Sequence, residues 1–362
     1  MKTKKTRAAK LDEFYVYLYA KRKSIRTDRI AKKRIRLIHG GYNGSQQEFN
    51  SVVKAYWKKY GVKAKKYWYD IYCQSDGHYD PRYIPDTIWS EKILPYYNDL
   101  ILRRAYTDKC FLDRILPCVA HPETVVKNVG GYFLDGEEKL ISREQALALC
   151  KAEERLIFKP AIFSGGGHGI QFFEKNEMDP SVVDEYFDDF RINFIVQHIV
   201  QQHADLARIN KNSLNTVRVL SFHFKNEIHI LSTQLRMGAD EAKVDNVTSG
   251  GCSCPIKEDG WLQEKAVTRK SEWSDRHPSG ILFKDIHVPS YDKVIAAAKK
   301  CHEMLPYFNL IGWDFAVRED GEPVLVEFNL MPDQNQVAGG PTFGDLTDEV
   351  LDEAYLKGSI VH

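Results

Sequence analysis

The most constraining feature of the sequence is an apolar ribbon near its carboxyl end, residues 311–330, which reads IGWDFAVREDGEPVLVEFNL. Apolar residues alternate along both arms, and between the arms lies Asp320-Gly321, a dipeptide favoured at the two central positions of a tight hairpin. With those two residues as the turn, Asp314 stands directly opposite Glu327, and Asn329 shares their face. Because facing carboxylates repel each other, the pattern predicts a positive charge between them.

This polar face of the hairpin is a candidate metal site. Two carboxylates and an amide oxygen at this spacing are hard ligands of the kind that suits Mg²⁺, so Asp314, Glu327 and Asn329 are candidate metal ligands. The alternative is an ordinary solvent-exposed face of a hairpin whose other face lies on a core.

The composition indicates a globular protein with room for two or three lobes: 362 residues, 43% apolar, 28% charged and a formal net charge of +1. Helical and strand-like segments together predict an α+β fold with mixed or antiparallel sheets, in which residues 1–105 are mainly helical. No stretch is long and apolar enough for a membrane span, and the N-terminus has no secretory core. Seven cysteines, an odd number without a disulfide-like spacing, favour a cytoplasmic location.

Charge is concentrated at the N-terminus, where residues 1–40 contain 14 Lys and Arg against 3 Asp and Glu. Aromatic and aliphatic residues are interleaved with these basic side chains. Three interpretations stay open: a solvated helix, a surface for an anionic membrane at the inner face of the cell envelope, and a nucleic-acid surface. Since no nucleic-acid-binding fold signature accompanies the segment, no nucleic-acid partner is expected.

A glycine-rich loop lies between two predicted strands in IFKPAIFSGGGHGIQFF, residues 157–173. Glycines let a backbone approach a polyanion closely and present N–H groups to it, and Lys159 adds a positive charge just before the loop. The spacing matches neither common phosphate-binding glycine motif, and a mobile surface turn is the alternative. His168 at the loop tip is expected to be exposed or to touch phosphate rather than to bind a metal.

Two arginines, Arg218 and Arg236, fall on predicted strands, where arginine is not normally a core residue. They are candidate anion-binding groups, with outward-facing arginines as the alternative. The segment LRMGADEAKVDNVTSGGCSCPI continues from Arg236 into a polar loop that contains Asn246, Ser249 and Gly250. Cys252 and Cys254 lack the further ligands that a structural zinc site needs.

With these residues assembled, the chain resembles the ATP-grasp superfamily, and in particular its sugar-transfer-associated branch. The motifs that carry the resemblance are GWDFAV followed by VLVEFN, together with TDK, FKPAIFSGGGHG and VQHI in the expected order. The resemblance implies an ATP-grasp domain over residues 106–362, with a small lid lobe at about 120–197 and a catalytic lobe at about 198–362.

The resemblance also implies roles for individual residues. Lys109 and Lys159 would contact the α- and β-phosphates of ATP, and Asp314, Glu327 and Asn329 would hold Mg²⁺, with two ions expected. Arg236 would steady an acyl phosphate, with Arg218 and Lys159 as further catalytic candidates. The remaining nucleotide-binding candidates are the flap residues Ser164, Gly165, Gly166, Gly167, His168 and Gly169, the linker residues Gln197, His198 and Ile199, and Asp205 for the ribose. The loop residues Asn246, Ser249 and Gly250 would line the acceptor site.

The function that this resemblance implies is ATP- and Mg²⁺-dependent ligation of a carboxylate to an amine through an acyl phosphate, on a sugar or cell-envelope polysaccharide precursor. Two alternatives stay open: a kinase that phosphorylates a hydroxyl of a small molecule or sugar, and a catalytically inactive nucleotide-binding protein. The expected partners are small-molecule carboxylate and amine (or sugar) substrates.

Overall fold

The first third of the chain is helical, as predicted. The computed structural model describes residues 6–38, 43–74, 76–162, 164, 167–238, 251–268 and 272–356. A helix of 28 residues, α1 (Arg7–Arg34), begins after Thr6, whose hydroxyl oxygen accepts a hydrogen bond from the Ala9 amide. The helices that follow are α2 (Gln46–Glu48), α3 (Ala55–Lys58), α4 (Lys66–Tyr72), α5 (Asp86–Ile88), α6 (Leu94–Tyr97) and α7 (Arg103–Tyr106). The loop predicted for DPRYIPDTIW ends at Pro85, because helix begins at Asp86.

π-helical turns extend two of these short helices. Residues Phe49–Lys54 join α2 to α3, and Trp89–Ile93 join α5 to α6. Aromatic side chains from this region, including Trp57, Tyr69 and Tyr97, are buried together with Phe222 and Leu351 from the C-terminal part of the chain. The helical region therefore shares a hydrophobic core with the lobe that carries the hairpin.

The smaller sheet has six antiparallel strands. In chain order these are β1 (Thr124–Val129), β2 (Tyr132–Asp135), β3 (Leu140–Ile141), β4 (Arg155–Pro160), β5 (Gln171–Glu174) and β6 (Phe194–His198), arranged β3-β2-β1-β6-β4-β5. A short helix, α8 (Leu112–Ile115), precedes the sheet and ends before Pro117, as predicted. Two longer helices, α9 (Arg143–Ala152) and α10 (Val182–Phe190), pack their apolar residues on one face of the sheet.

The larger sheet has seven antiparallel strands and carries the C-terminal hairpin. In chain order these are β7 (Thr216–Phe224), β8 (Glu227–Met237), β9 (Cys252–Pro255), β10 (Ala266–Thr268), β11 (Trp273–Ser274), β12 (Leu310–Val317) and β13 (Pro323–Asn329), arranged β11-β10-β9-β8-β7-β12-β13. The helices of this part are α11 (Ala204–Ala207), α12 (Tyr291–Glu303), α13 (Gln336–Gly339) and α14 (Thr347–Leu356). The helix predicted just before the hairpin is confirmed as α12.

The turn of the hairpin differs from the prediction. Arg318 pairs with Glu322, so the loop has three residues and ends at Gly321, whose φ of 80° requires the left-handed region that glycine tolerates. If that register continued along the whole hairpin, Asp314 would not lie directly opposite Glu327. A β-bulge beyond Phe315 and Leu325 adds one residue to β13, so Asp314 does lie opposite Glu327. The opposition is confirmed, although the two-residue turn from which it was predicted is wrong.

Candidate active site

Asp314 lies on β12, one strand in from the edge of the larger sheet, and is almost fully buried, with 4% of its side chain exposed. Arg218, directly across on β7, donates two parallel hydrogen bonds to it: Nε to Oδ1 at 2.6 Å and Nη2 to Oδ2 at 2.7 Å. Arg236 on β8 adds weaker contacts, since its Nη1 lies 3.4 Å from both carboxylate oxygens. Burial would raise the pKa of Asp314, but the two guanidinium groups outweigh burial and hold that pKa below its usual value.

In this structure the guanidinium group of Arg218 supplies the positive charge that was predicted beside Asp314. Arg218 donates one hydrogen bond to each carboxylate oxygen, and the binding of Mg²⁺ at Asp314 stays a prediction. Arg218 is also not an outward-facing arginine, because only 16% of its side chain is exposed. Burial would lower the pKa of Arg218, but the adjacent carboxylate raises it, so the pair stays fully charged.

A glycine that sequence reasoning missed, Gly312, lies beside this ion pair and lets Pro332 approach the strand closely. A Cβ placed on Gly312 would lie 3.0 Å from Cβ of Pro332 and 3.6 Å from Nη1 of Arg218. The signal was present in the sequence, since a glycine inside an otherwise apolar strand often marks the close approach of another group.

Glu327 faces the smaller sheet, and Lys109 is its ion-pair partner, with Nζ of Lys109 3.5 Å from Oε2 of Glu327. Asp108 orders the turn that carries Lys109, because its Oδ1 accepts a hydrogen bond from the Cys110 amide, as the predicted N-cap requires. Nζ of Lys109 also donates to Oγ of Ser164, at 3.0 Å. The loop that begins at Ser164 is thereby connected to the hairpin through a single lysine.

Lys159 completes a charged cluster between the two sheets. Its ammonium is buried and donates to Oε1 of Gln197 at 3.1 Å. Burial, with the nearby charge of Lys109, lowers the pKa of Lys159 to about 8, and the charge of Glu327 opposes that shift. Lys109, Lys159 and Glu327 thus come within electrostatic reach of one another, although they belong to three different segments of the chain.

Asn329 lies on the same strand face as Glu327 and is exposed, and its Oδ1 accepts a hydrogen bond from the Met331 amide at 2.9 Å. Its neighbour across the hairpin is Gly312, so no side chain stands opposite it. Among the residues that the structure describes, no group of three or more His, Cys, Asp or Glu side chains could hold a metal ion. The predicted metal set therefore depends on two carboxylates and this amide oxygen.

The glycine-rich loop is described only in part. Ser164, Gly167, His168 and Gly169 belong to the described residues, whereas Gly165 and Gly166 lie outside them. Gly169 has a φ of 75°, and a Cβ there would lie 3.0 Å from Cγ of Pro160. His168 is exposed, as predicted for the loop tip.

The predicted nucleotide linker overlaps the end of β6: Gln197 and His198 are its last two residues, and Ile199 follows it. The side chain of Gln197 points to Lys159 and also donates to the carbonyl of Pro122 at 3.2 Å. The ring of His198 lies between two carboxylates, 3.1 Å from Glu123 and 3.0 Å from Glu153. Burial would lower the pKa of His198, but these two acids raise it above its usual value.

The predicted ribose-binding residue lies away from the charged cluster, and the predicted acceptor-site residues are not among the described residues. Asp205 lies in the first turn of α11 with 60% of its side chain exposed, and its ion-pair partner is His203 at 3.6 Å. Among the described residues no hydrogen bond or ion pair joins Asp205 to Lys109, Lys159 or Glu327. The three predicted acceptor-site residues, Asn246, Ser249 and Gly250, lie outside the described residues.

Comparison with solved structures gives distant similarities. The chain is similar to N5-carboxyaminoimidazole ribonucleotide synthetase in complex with ADP (13% identity, TM-score 0.40, 65% of this chain and 47% of that one). It is also similar to VanG D-Ala:D-Ser ligase from Enterococcus faecalis (13% identity, TM-score 0.43, 73% of this chain and 62% of that one). A third similarity is to biotin carboxylase from Campylobacter jejuni (10% identity, TM-score 0.45, 74% of this chain and 50% of that one). The chain therefore spans less than two thirds of the length of each of these proteins.

No curated protein sequence matches the chain. A family model does match, however, and its description is sugar-transfer associated ATP-grasp. The match covers residues 97–350, which is more than two thirds of the sequence and includes every described residue of the charged cluster. The chain therefore belongs to the sugar-transfer associated ATP-grasp family.

Proposed function

We propose that this protein is an ATP- and Mg²⁺-dependent carboxylate–amine ligase that works through an acyl phosphate. The observation that carries the proposal is the convergence of Lys109, Lys159 and Glu327 between the two sheets, beside the buried pair of Asp314 and Arg218. Such a cluster offers two cations to a phosphate chain and oxygen ligands to its counter-ion, which is the electrostatic arrangement that phosphoryl transfer requires.

In this proposal ATP lies between the sheets, with its phosphates beside Lys109 and Lys159. The loop from Ser164 to Gly169 covers the phosphates, since Ser164 already contacts Lys109. The linker residue Ile199, which follows β6, receives the adenine through its backbone, because Gln197 and His198 are paired within the sheet and the His198 amide already donates to the carbonyl of Glu123. Asp205 remains a candidate for the ribose contact.

The donor set suits Mg²⁺ by its chemistry: two carboxylates on opposed strands and an exposed amide oxygen are all hard ligands. Glu327 and Asn329 are accessible, and each oxygen of Asp314 retains a lone pair beside its hydrogen bond to Arg218. We therefore assign Asp314, Glu327 and Asn329 as the residues that would hold the metal, with two ions as the expected number. When bound, Mg²⁺ neutralises charge on the transferring phosphoryl group.

The chain's own cations then stabilise the transfer. A substrate carboxylate attacks the γ-phosphate, and Lys159 and Lys109 neutralise charge on the phosphates that remain with the leaving ADP. Arg236, whose hold on Asp314 is weak at 3.4 Å, is positioned to turn towards the acyl phosphate, while Arg218 stays on Asp314. An amine held near Asn246, Ser249 and Gly250 displaces the phosphate and gives an amide.

The substrate class comes from the family and not from the geometry of the cleft. We propose a sugar or cell-envelope polysaccharide precursor as the compound that is modified, with a small-molecule carboxylate and an amine as the reacting groups. A cytoplasmic location is proposed from the cysteines, all seven of which are free thiols. No helix within the described residues is long and apolar enough to cross a membrane.

A hydroxylamine trap tests the ligase chemistry. Incubation with ATP, Mg²⁺ and a panel of carboxylates, including amino acids and hexuronic acids, is expected to yield a hydroxamate when hydroxylamine replaces the natural amine. A kinase would transfer phosphate to a hydroxyl and leave hydroxylamine unreacted. Mg²⁺-dependent phosphorylation of a sugar without any hydroxamate would therefore contradict the proposal.

Nucleotide binding is expected to take up a proton above pH 8. The pKa of Lys159 is lowered to about 8 from 10.5 by burial and by Lys109, and bound phosphates raise it again. The protonated lysine favours the phosphates, so this contribution to affinity is fully present below about pH 8 and is lost as the pH rises towards 10.5. Calorimetry with a non-hydrolysable ATP analogue, in buffers of different ionisation enthalpy, measures the uptake.

Two variants sharpen that measurement. Lys159→Met removes the titrating group and should abolish the uptake. Gln197→Glu places a carboxylate 3.1 Å from the ammonium, which raises the pKa of Lys159 and moves the uptake to higher pH. Proton release, or uptake that persists in Lys159→Met, would show that another group titrates.

A further inference from the structure

The long N-terminal helix α1 exposes an unusual face to solvent. Eight residues spaced three or four apart follow one another along this face, and we call them the outward face of α1: Arg7, Leu11, Phe14, Leu18, Arg22, Ile25, Arg29 and Lys32. All eight are exposed, and the four apolar members are between 46% and 67% exposed. The outward face contains no acidic residue, although α1 has three elsewhere.

The opposite side of α1 explains why the outward face is left uncovered. Ala20, Ser24 and Ala31 are buried, and they lie half a turn away from Leu11 and Leu18. Through this side the helix packs on the α4, α5 and Trp89–Ile93 segments. The helix therefore already has its partner within the fold, and exposed Leu, Phe and Ile side chains on its other side call for a partner outside it.

The charges on the outward face decide what that partner is. A parallel second copy of α1 would bring Arg22 and Arg29 against like charges, and an antiparallel copy centred on the face would bury them against Leu18 and Leu11, so both orientations are unfavourable. A nucleic acid would satisfy the arginines but would leave Leu11, Phe14 and Leu18 without an apolar environment. An anionic lipid surface satisfies both kinds of side chain at once, since basic residues with Leu and Phe are the composition of helices that lie in a membrane interface.

A basic groove runs beside the same helix. It has a volume of about 640 Å³, and α1 contributes Lys21, Ile25, Arg29 and Lys32 to its lining. Lys65 and Lys92 approach from other elements. The groove's two acids are already neutralised, Asp28 by Lys32 and Lys65 and Glu91 by Lys21. The groove thus adds positive charge to the same side of the protein as the outward face.

We propose that the outward face of α1 docks the protein on an anionic lipid bilayer, with Leu11, Phe14 and Leu18 entering the interface. Arg22 and Arg29 then contact lipid phosphates, and the groove receives a lipid headgroup. This inference does not rest on the proposed ligase activity, because it concerns a surface outside the cleft.

Docking would place the catalytic cleft next to the bilayer. Tyr15 and Tyr19 of α1 contact Arg104 and Arg103, which shortly precede Lys109. Lys23 pairs with Asp333 at 3.2 Å, just after the metal-site residue Asn329. The helix therefore contacts residues close in sequence to Lys109 and to Asn329, in two of the three segments that form the site.

Co-sedimentation of the full chain with vesicles tests the proposal. The protein should sediment with an equal mixture of phosphatidylcholine and phosphatidylglycerol, and not with phosphatidylcholine alone, and added salt should weaken the association. Leu11→Gln/Phe14→Gln/Leu18→Gln should reduce partitioning by roughly 100-fold, because three apolar side chains leave the interface. Arg22→Gln/Arg29→Gln should reduce it by about 25-fold, at roughly fivefold for each basic residue.

Matched controls keep the test specific. Leu140→Gln/Ile192→Gln removes side chains that are 70% and 52% exposed, one on strand β3 and one in the turn before β6, and Lys211→Gln/Lys257→Gln removes two exposed charges elsewhere. Both controls should bind vesicles like the parent, and all variants should keep its unfolding midpoint, since the replaced residues are exposed. Failure to sediment with anionic vesicles would overturn the proposal.

Two other outcomes would also overturn it. If light scattering shows a dimer that the Leu11/Phe14/Leu18 variant disperses, the face pairs two copies of the chain. If the arginine variant loses vesicle binding while the apolar variant keeps it, the surface is a general polyanion site and does not insert into lipid.

Discussion

Replacing Arg218 by methionine is expected to lower the free energy of unfolding by roughly 3 kcal/mol, because it leaves the Asp314 carboxylate buried without its main partner. Only 4% of the Asp314 side chain is exposed, so water cannot replace the two lost hydrogen bonds. Arg236, at 3.4 Å, compensates in part, which places the expected cost at the lower end of the range for a broken buried ion pair. Urea unfolding at pH 7, monitored by tryptophan fluorescence, measures the change.

The pH dependence of this loss identifies its cause. In the parent the pKa of Asp314 is below its usual 3.8, so the stabilisation from this group is present above pH 3.8 and is lost as the pH falls through the lower folded value. The difference between Arg218→Met and the parent should therefore shrink on acidification. A difference that stays constant with pH would indicate lost packing around Arg218 instead of an unpaired charge.

Two comparison variants complete the experiment. Arg143→Met breaks another Arg–Asp pair, which has a similar distance of 2.6 Å but exposed side chains, and should cost under about 1 kcal/mol. Arg218→Met/Asp314→Asn removes both charges and should recover much of the stability that the single change loses. If the double variant is as unstable as Arg218→Met, the buried charge is not the reason for the loss.

The features of the site that lie within the hairpin could be predicted from the sequence, whereas the contacts between distant strands could not. Alternation along residues 311–330 identified the hairpin and the opposition of Asp314 and Glu327, because strand periodicity is a local property. The loop length and the bulge were missed, since Asp320-Gly321 fits both a two-residue turn and the last two positions of a three-residue turn. The three-residue loop shifts the pairing by one residue and the bulge shifts it back by one. The prediction that Asp314 lies opposite Glu327 is therefore correct, although it omitted both features.

The ion pair between Arg218 and Asp314 could not be predicted, because it depends on the register between β7 and β12, strands almost a hundred residues apart. Register across a sheet is set by packing on both faces, and a single sequence does not reveal it. Gln197 illustrates the same limit: the resemblance placed it at a nucleotide linker, while the fold turns its side chain to Lys159. The helical character of residues 1–105 was predictable, but the burial of their aromatic side chains against Phe222 and Leu351 was not.

Replacing Glu327 by glutamine is expected to abolish Mg²⁺-dependent ATP turnover, with a loss of at least about 1,000-fold, because the change removes the charge of a proposed metal ligand without altering side-chain size. The fold should be unaffected. Glu327 is 35% exposed and its ion-pair partner Lys109 is 3.5 Å away, a pair that contributes little stability. Phosphate release with ATP and Mg²⁺, at matched protein concentration, measures turnover, and the unfolding midpoint checks the fold.

Glu322→Gln is the matched control for this change. Glu322 lies at the turn of the same hairpin, is 50% exposed and pairs with Lys293 at 2.5 Å, so it is a carboxylate in a similar ion pair outside the cleft. Its replacement should leave turnover unchanged. Because Lys109 is released in Glu327→Gln, a nucleotide analogue should still bind in the absence of Mg²⁺, whereas the additional affinity that Mg²⁺ confers on the parent should disappear. Equal turnover in Glu327→Gln and Glu322→Gln would show that the hairpin carboxylates do not hold the catalytic metal, since only Glu327 faces the two lysines.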